Sequence, residues 1–194
     1  MANLIDHTYF IGEISLPAQV LTGSLADIDP YIVKYEREAL IEILGYTLYK
    51  QLKAEIDSGP PAVYTTKWDR LVNGHEYEID YLGDAQLVKW NGLINSDKVS
   101  LIAYYIYYQY VKFHVSHTSG FGELFQAGEN AARVSPSEKM VNAWNRFIDL
   151  RGKPSDYEIN PTCYNFLNEF EDDATNGYDK LLFTVLKHTN TFGI

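Results

Sequence analysis

NSDKVSLIAYYIYYQYVKFHV, Asn95 to Val115, is the longest apolar run in the chain and carries five tyrosines between Tyr104 and Tyr110. No glycine or proline interrupts it. Asn95 or Ser96 can cap its start and Asp97 suits the positive end of a helix dipole, so at about 1.5 Å per residue the run predicts about five turns of helix. Val99, Ile102, Ile106 and Phe113 share one face, but Leu101, Tyr105, Tyr108 and Val115 leave no polar face opposite. A helix apolar nearly all round is buried in protein or in lipid. The stretch Val99 to Val115 falls short of the roughly 20 residues a span needs, contains Ser100, Gln109, Lys112 and His114, and puts tyrosine where a bilayer interior disfavours it. It is therefore read as the central helix of a protein core. Each tyrosine ring covers a large apolar area while its hydroxyl needs a partner or water, which suits a thin domain whose sides are closed by other copies.

Upstream of this helix the period changes. Tyr77, Ile79 and Tyr81 alternate with Glu76, Glu78 and Asp80, Gly83-Asp84 offers a turn, and Leu87, Val88 and Trp90 return, predicting a β-hairpin over about 75–90. A hairpin alone is marginal in water, so it must lie on the helices or extend to a partner. Earlier still, Asp29 caps and Pro30 opens a helix with Ile32, Tyr35, Ala39, Leu40 and Ile43 at helical spacing. Gly45 ends it, and a second short helix runs from Thr47 to Ile56 until Ser58-Gly59-Pro60-Pro61. Thr65 or Thr66 caps a brief helix, KWDRLV, that ends at Asn73-Gly74. Residues 1–27 show neither period and are read as an extended N-terminal arm, packed on its own domain or on a neighbour.

Downstream, residues 117–134 carry Gly120, Gly122 and Gly128 with Phe121, Leu124 and Phe125 between them, and read as a glycine-rich loop. Ser135-Pro136-Ser137-Glu138 has the spacing of a capping box with proline at the first helical position; Met140, Val141, Trp144, Phe147 and Ile148 follow as far as Arg151-Gly152. Asn160-Pro161 gives the same start signal for a last helix with Phe166, Leu167 and Phe170, and the chain closes on Phe192-Gly193-Ile194. The expected fold is mainly α: a compact helical bundle around the Tyr-rich helix, with a β-hairpin and extended N- and C-terminal segments. Residues 28–150 form its body, and 151–194 an acidic helix and tail packed on the same domain.

The 194 residues suit one ordinary domain, and the 46% apolar content argues that it folds. A formal net charge of −10 argues against an electrostatic grip on nucleic acid. The charge is uneven. Seven acids (Asp156, Glu158, Glu169, Glu171, Asp172, Asp173 and Asp179) and no Lys or Arg fall between Pro154 and Asp179, either as a solvated face or as a surface that DNA slides past without binding. The single Cys163 cannot form an internal disulfide, and MANLIDHTYF lacks the basic patch and apolar core of a signal peptide.

Chemistry-bearing motifs are missing. His114 and His117 share a helix face without a third metal ligand, Asp172 to Asp179 fails the EF-hand pattern at Ala174 and Phe183, and the glycines at 120, 122 and 128 fit no phosphate loop. Cys163 has no nucleophile signature around it and reads as core. The expectation is a protein without catalytic residues, metal ligands or cofactor.

Taken in order, YIVKYEREALIEILGYTLYKQL (31–52), KWDRLVNGHEY (67–77), and KVSLIAYYIYYQYVKF leading to GENAARVSPSEKMVNAWN (128–145) resemble the head-tail connector, or adaptor, proteins of tailed phages and prophages, particularly those of Bacteroidetes. The similarity covers roughly residues 28–150. It implies a small helical domain assembling as a ring of about twelve subunits if cyclic symmetry matches the portal above. It also implies a virion protein assembled in the host bacterial cytoplasm. Its partners would be further copies of itself, the portal and downstream neck or tail proteins, with DNA only as passing cargo and no membrane. Candidate interface residues are Phe121, Leu124, Phe125, Phe192 and Ile194.

Three other readings remain. One is a neck or tail-completion protein at a neighbouring position. Another is a small hydrolase or nuclease whose His75, His114, His117 and nearby acids converge in one pocket. The last is a host interaction module with one exposed apolar patch.

Overall fold

A computed structural model describes residues 3–16, 25–60, 64–114, 116–119, 122–125, 136–153, 161–171, 177–178 and 187–189. The fold is mainly α. Helices α1 (Leu25–Ser58) and α2 (Thr66–Asn73) precede a hairpin of β1 (His75–Tyr81) and β2 (Asp84–Trp90). Then come α3 (Leu101–His114), a short hairpin of β3 (Ser116–Ser119) and β4 (Gly122–Phe125), α4 (Pro136–Arg151) and α5 (Cys163–Glu169).

The break expected at Gly45 is present. Its φ of 75° and ψ of 161° are non-helical, a conformation glycine adopts without a Cβ penalty, so α1 is two helical segments meeting at a kink. The first segment begins at Leu25, a turn before Asp29-Pro30, because a proline near the start of a helix removes only one backbone donor.

The central helix is shorter than its apolar run. The Asn95 amide clamps the loop before it, accepting the Val99 N–H at 3.1 Å and donating to the Val99 carbonyl at 2.6 Å, while Lys98 takes a left-handed φ of 59°. Helix start therefore falls to Ser100, whose hydroxyl accepts the Ile102 N–H at 3.2 Å and donates to the Leu93 carbonyl at 2.7 Å. From Leu101 to Tyr107 every residue is buried, as are Gln109, Tyr110 and Val111.

The cover comes from this chain itself, not from other copies. Helices α1 and α4 pack along α3, with Tyr105 edge-on to Phe147 and Tyr108 against Trp144. The tyrosine hydroxyls end on carboxylates at the rim, Tyr104 donating to Glu13 and Tyr105 to Glu38.

The N-terminal arm also packs on its own domain. Two 3-10 turns, His7–Tyr9 and Gly12–Ile14, bury Leu4, Ile5, Tyr9, Phe10 and Ile14. At the other end, residues 187–189 lie along α4. Trp144 Nε1 donates to the Lys187 carbonyl at 3.1 Å, and the Asn145 amide pairs with both the N–H and the carbonyl of Thr189 at 2.9 Å.

Candidate interaction site

The expected hairpin is present in antiparallel register, His75 opposite Trp90 and Tyr81 opposite Asp84. Its base is part of the core. Trp90 Nε1 donates to the Leu71 carbonyl at 2.9 Å, Tyr77 meets Phe166 and Phe170 of the α5 region edge-on, and Trp90 stacks on Phe166. Thr162 caps α5 by accepting the Asn165 N–H at 3.2 Å, so the cap of this helix falls two residues after Asn160. The last helix thus supplies the floor for the hairpin, leaving α3 to the bundle.

Beyond that floor the strands continue uncovered. Residues Asp80 to Leu87 are all exposed, and the tip presents Tyr81, Leu82 and Leu87 to solvent, Leu82 at 89% exposure. The turn is Leu82-Gly83 and not Gly83-Asp84. Both central residues have positive φ, 57° and 92°, which makes a type I′ connection whose preferred residues are Asn-Gly. A leucine in the left-handed region costs about 1 kcal/mol or more in backbone strain and here gains no burial. Around it stand the acids Glu78, Asp80 and Asp84, Asp80 accepting the Gly83 N–H at 2.8 Å; Lys89 lies near the base, 3.7 Å from Glu76.

A second exposed surface lies where α1 passes the C-terminal end of α3. Phe113 is 51% exposed, its ring parallel to that of buried Tyr35 at 6.3 Å between centroids. Lys34 Nζ sits 4.8 Å from the Tyr35 ring and Lys112 Nζ 5.2 Å from the Phe113 ring, so two cations frame the aromatic pair.

Of the residues expected at an interface, Phe121, Phe192 and Ile194 lie outside the described residues, and Leu124 and Phe125 are described only as backbone of β4. Sequence reasoning missed Leu82 and treated Phe113 as core. The readable signal was an apolar residue at the turn of an otherwise well-formed hairpin.

Among the described residues, Cys163, His75 and Asp149 are buried or already partnered, while the side chains of His114 and His117 lie outside the described residues. Cys163 is fully buried, which pushes its thiol up to about 12. His75 packs on Tyr77 and Phe170, and burial lowers its pKa. A cleft of about 250 Å³ between the end of β2 and α4 is lined by Lys89, Trp90, Arg146 and Asp149, but the Asp149 carboxylate is taken up by His188 at 2.7 Å. Among the described residues no cluster of His, Cys, Asp and Glu is placed to hold a metal ion, and no helix is long and apolar enough to cross a membrane.

The chain matches no protein-family profile, no curated protein and no solved structure.

Proposed function

We propose that this chain is a structural protein of a tailed-phage particle, a head-tail connector subunit whose copies form a ring between portal and tail and lengthen the DNA channel. The observation that carries the reading is the β1–β2 tip. It is anchored by an aromatic base yet ends in exposed Tyr81, Leu82 and Leu87 on a strained turn, an arrangement that costs an isolated monomer stability and benefits a subunit with a neighbour. The ordered resemblance of residues 28–150 to connector proteins supports the same reading. So does the net charge of −10, since an acidic wall lets DNA pass without holding it.

The test is to mix the purified chain with a cognate portal protein and to image the product by electron microscopy. Ring density below the portal is expected, and a bare portal at saturating subunit overturns the proposal. Density at a lower position in the neck would instead favour a tail-completion role.

A further inference from the structure

We infer that the β1–β2 tip of one copy, with Tyr81, Leu82 and Leu87 set among Glu78, Asp80 and Asp84, docks on the Phe113 surface between Lys34 and Lys112 of a second copy. This interface deepens the ring reading above and rests on it.

Charge complementarity selects the occupant. In a chain with 26 acids against 16 cations, most surfaces repel a second copy, and a contact must bring an acidic element to one of the few basic ones. Past Glu76, paired with Lys89, the tip carries only negative charge. The surface at Phe113 carries Lys34 and Lys112 over aromatic rings. The exposed acid Glu38, which accepts the Tyr105 hydroxyl, keeps its charge, so the two lysines outnumber one acid there. Apolar content matches too, since Leu82 and Leu87 on one side face an exposed phenylalanine on the other. Nucleic acid is disfavoured for the tip by the sign of its charge.

The two surfaces do not satisfy each other within one chain. The hairpin base is tied to α2 and to the loop before α3, whereas Phe113 stands at the far end of α3, about 18 Å along the helix axis. Both are exposed in the single subunit. A contact between two different patches is heterologous, and repeated around an axis it closes into a ring or runs on as a filament.

Leu82→Cys and Phe113→Cys, made separately in the full chain, test this directly. Native Cys163 is fully buried and stays silent. With a size tag on one variant and mild oxidant, the mixed L82C–F113C dimer is expected several-fold above the yield given by an exposed control, Thr47→Cys. Because Phe113→Cys removes a ring stacked on Tyr35, Lys112→Cys repeats the measurement with that ring in place. Asp80→Lys with Asp84→Lys on the tip should abolish the excess, and Lys34→Glu with Lys112→Glu on the partner should restore it.

A mixed yield no higher than the control, or dominance of L82C–L82C dimers, overturns the interface. Cross-linking of L82C to added portal instead of to a second copy overturns it as well. Ring density on the portal without the mixed cross-link would remove this interface and leave the connector reading standing; the cross-link without portal binding would do the reverse.

Discussion

Glu36 reaches across 32 residues of sequence to accept the Leu4 backbone N–H on both carboxylate oxygens at 3.0 Å, and the Ile5 N–H on one of them at 3.2 Å. With the Tyr104–Glu13 hydrogen bond, this is a polar fastening of an arm otherwise held by Leu4, Ile5, Tyr9, Phe10 and Ile14. Burial outweighs those hydrogen bonds and pushes the Glu36 carboxyl up to about 7 from an ordinary 4.5. Tyr64 is the titratable neighbour, raised by its own burial and then by the charges of Glu55 and Glu36. The folded chain therefore holds the Glu36 proton to higher pH than the unfolded one. Its stabilising contribution is full below about 4.5 and declines as pH rises through 7, by up to ~3 kcal/mol. Urea titrations at pH 5 and pH 8 should show that loss, and Glu36→Gln should flatten it. An unchanged slope in E36Q would remove Glu36 as its source. Glu36→Ala leaves two buried backbone donors unpaired and should cost about 1–3 kcal/mol at pH 5, and correspondingly less at pH 8, where the wild-type carboxyl has already lost its stabilising contribution.

The tyrosine helix separates ring from hydroxyl. Tyr105 packs edge-on to buried Phe147 at 5.2 Å, while its hydroxyl ends on exposed Glu38, which water can also serve. Tyr105→Phe should cost no more than about 1 kcal/mol and Tyr105→Ala about 3–5 kcal/mol. Equal losses in urea unfolding would mean that the hydroxyl, not the ring, holds α3 in place.

Arg151, buried at the end of α4, donates from Nε to the Glu42 carbonyl at 3.0 Å. The kink at Gly45 interrupts the α1 ladder just beyond Glu42, and carbonyls before such a break need donors from outside the helix. Arg151→Met keeps much of the side-chain volume and removes the donor. A loss of about 2 kcal/mol is expected in chemical denaturation, with α1 protection from hydrogen exchange falling around Glu42. Protection unchanged there would show that the kink does not depend on Arg151.

These three sites also show what could be read in the chain. The Gly45 break, the 75–90 hairpin and the Pro136 start of α4 rest on local chemistry, namely backbone freedom and period, and the sequence carries that directly; Thr65 does stand at the start of α2, but its side chain makes no cap hydrogen bond. Local reasoning placed the start of α3 at Asn95 because it could not see the Asn95 side chain spending itself on Val99, nor Ser100 reaching the Leu93 carbonyl. It took residues 117–134 for a loop, whereas Ser116 to Phe125 pair as β3 and β4 across a two-residue link. Beyond the cover from residues 31–56 and 136–150, it gave the remaining faces of α3 to the hairpin or an adjoining subunit, whereas the N-terminal arm reaches Tyr104 through Glu13. Alternation revealed the hairpin but not how far its tip outruns α5, which depends on where Phe166 and Phe170 come to rest.

The tail offers a separate handle on the bundle. Asn145 takes the place of a β-strand neighbour for Thr189, and His188 meets Asp149 at 2.7 Å. Asn145→Ala should free residues 187–189, seen as faster proteolysis after Lys187, with a stability loss of about 1 kcal/mol. Unaltered cleavage would mean that Trp144 and Asp149 suffice to hold the segment.

Leu82 allows folding and assembly to be driven in opposite directions. Its left-handed φ is one that asparagine tolerates and leucine does not, and at 89% exposure the side chain contributes little to the monomer. Leu82→Asn should therefore stabilise the isolated chain by about 0.5–1 kcal/mol, a rise of roughly 1–4 °C in Tm for a domain of this size. The same variant should lower self-association in sedimentation velocity and weaken ring formation on the portal. A gain in Tm with assembly intact would show that the strained leucine serves neither the fold nor a neighbour. A loss of Tm would mean that the turn has adapted to leucine, and that the strain argument for a docking tip fails at its first step.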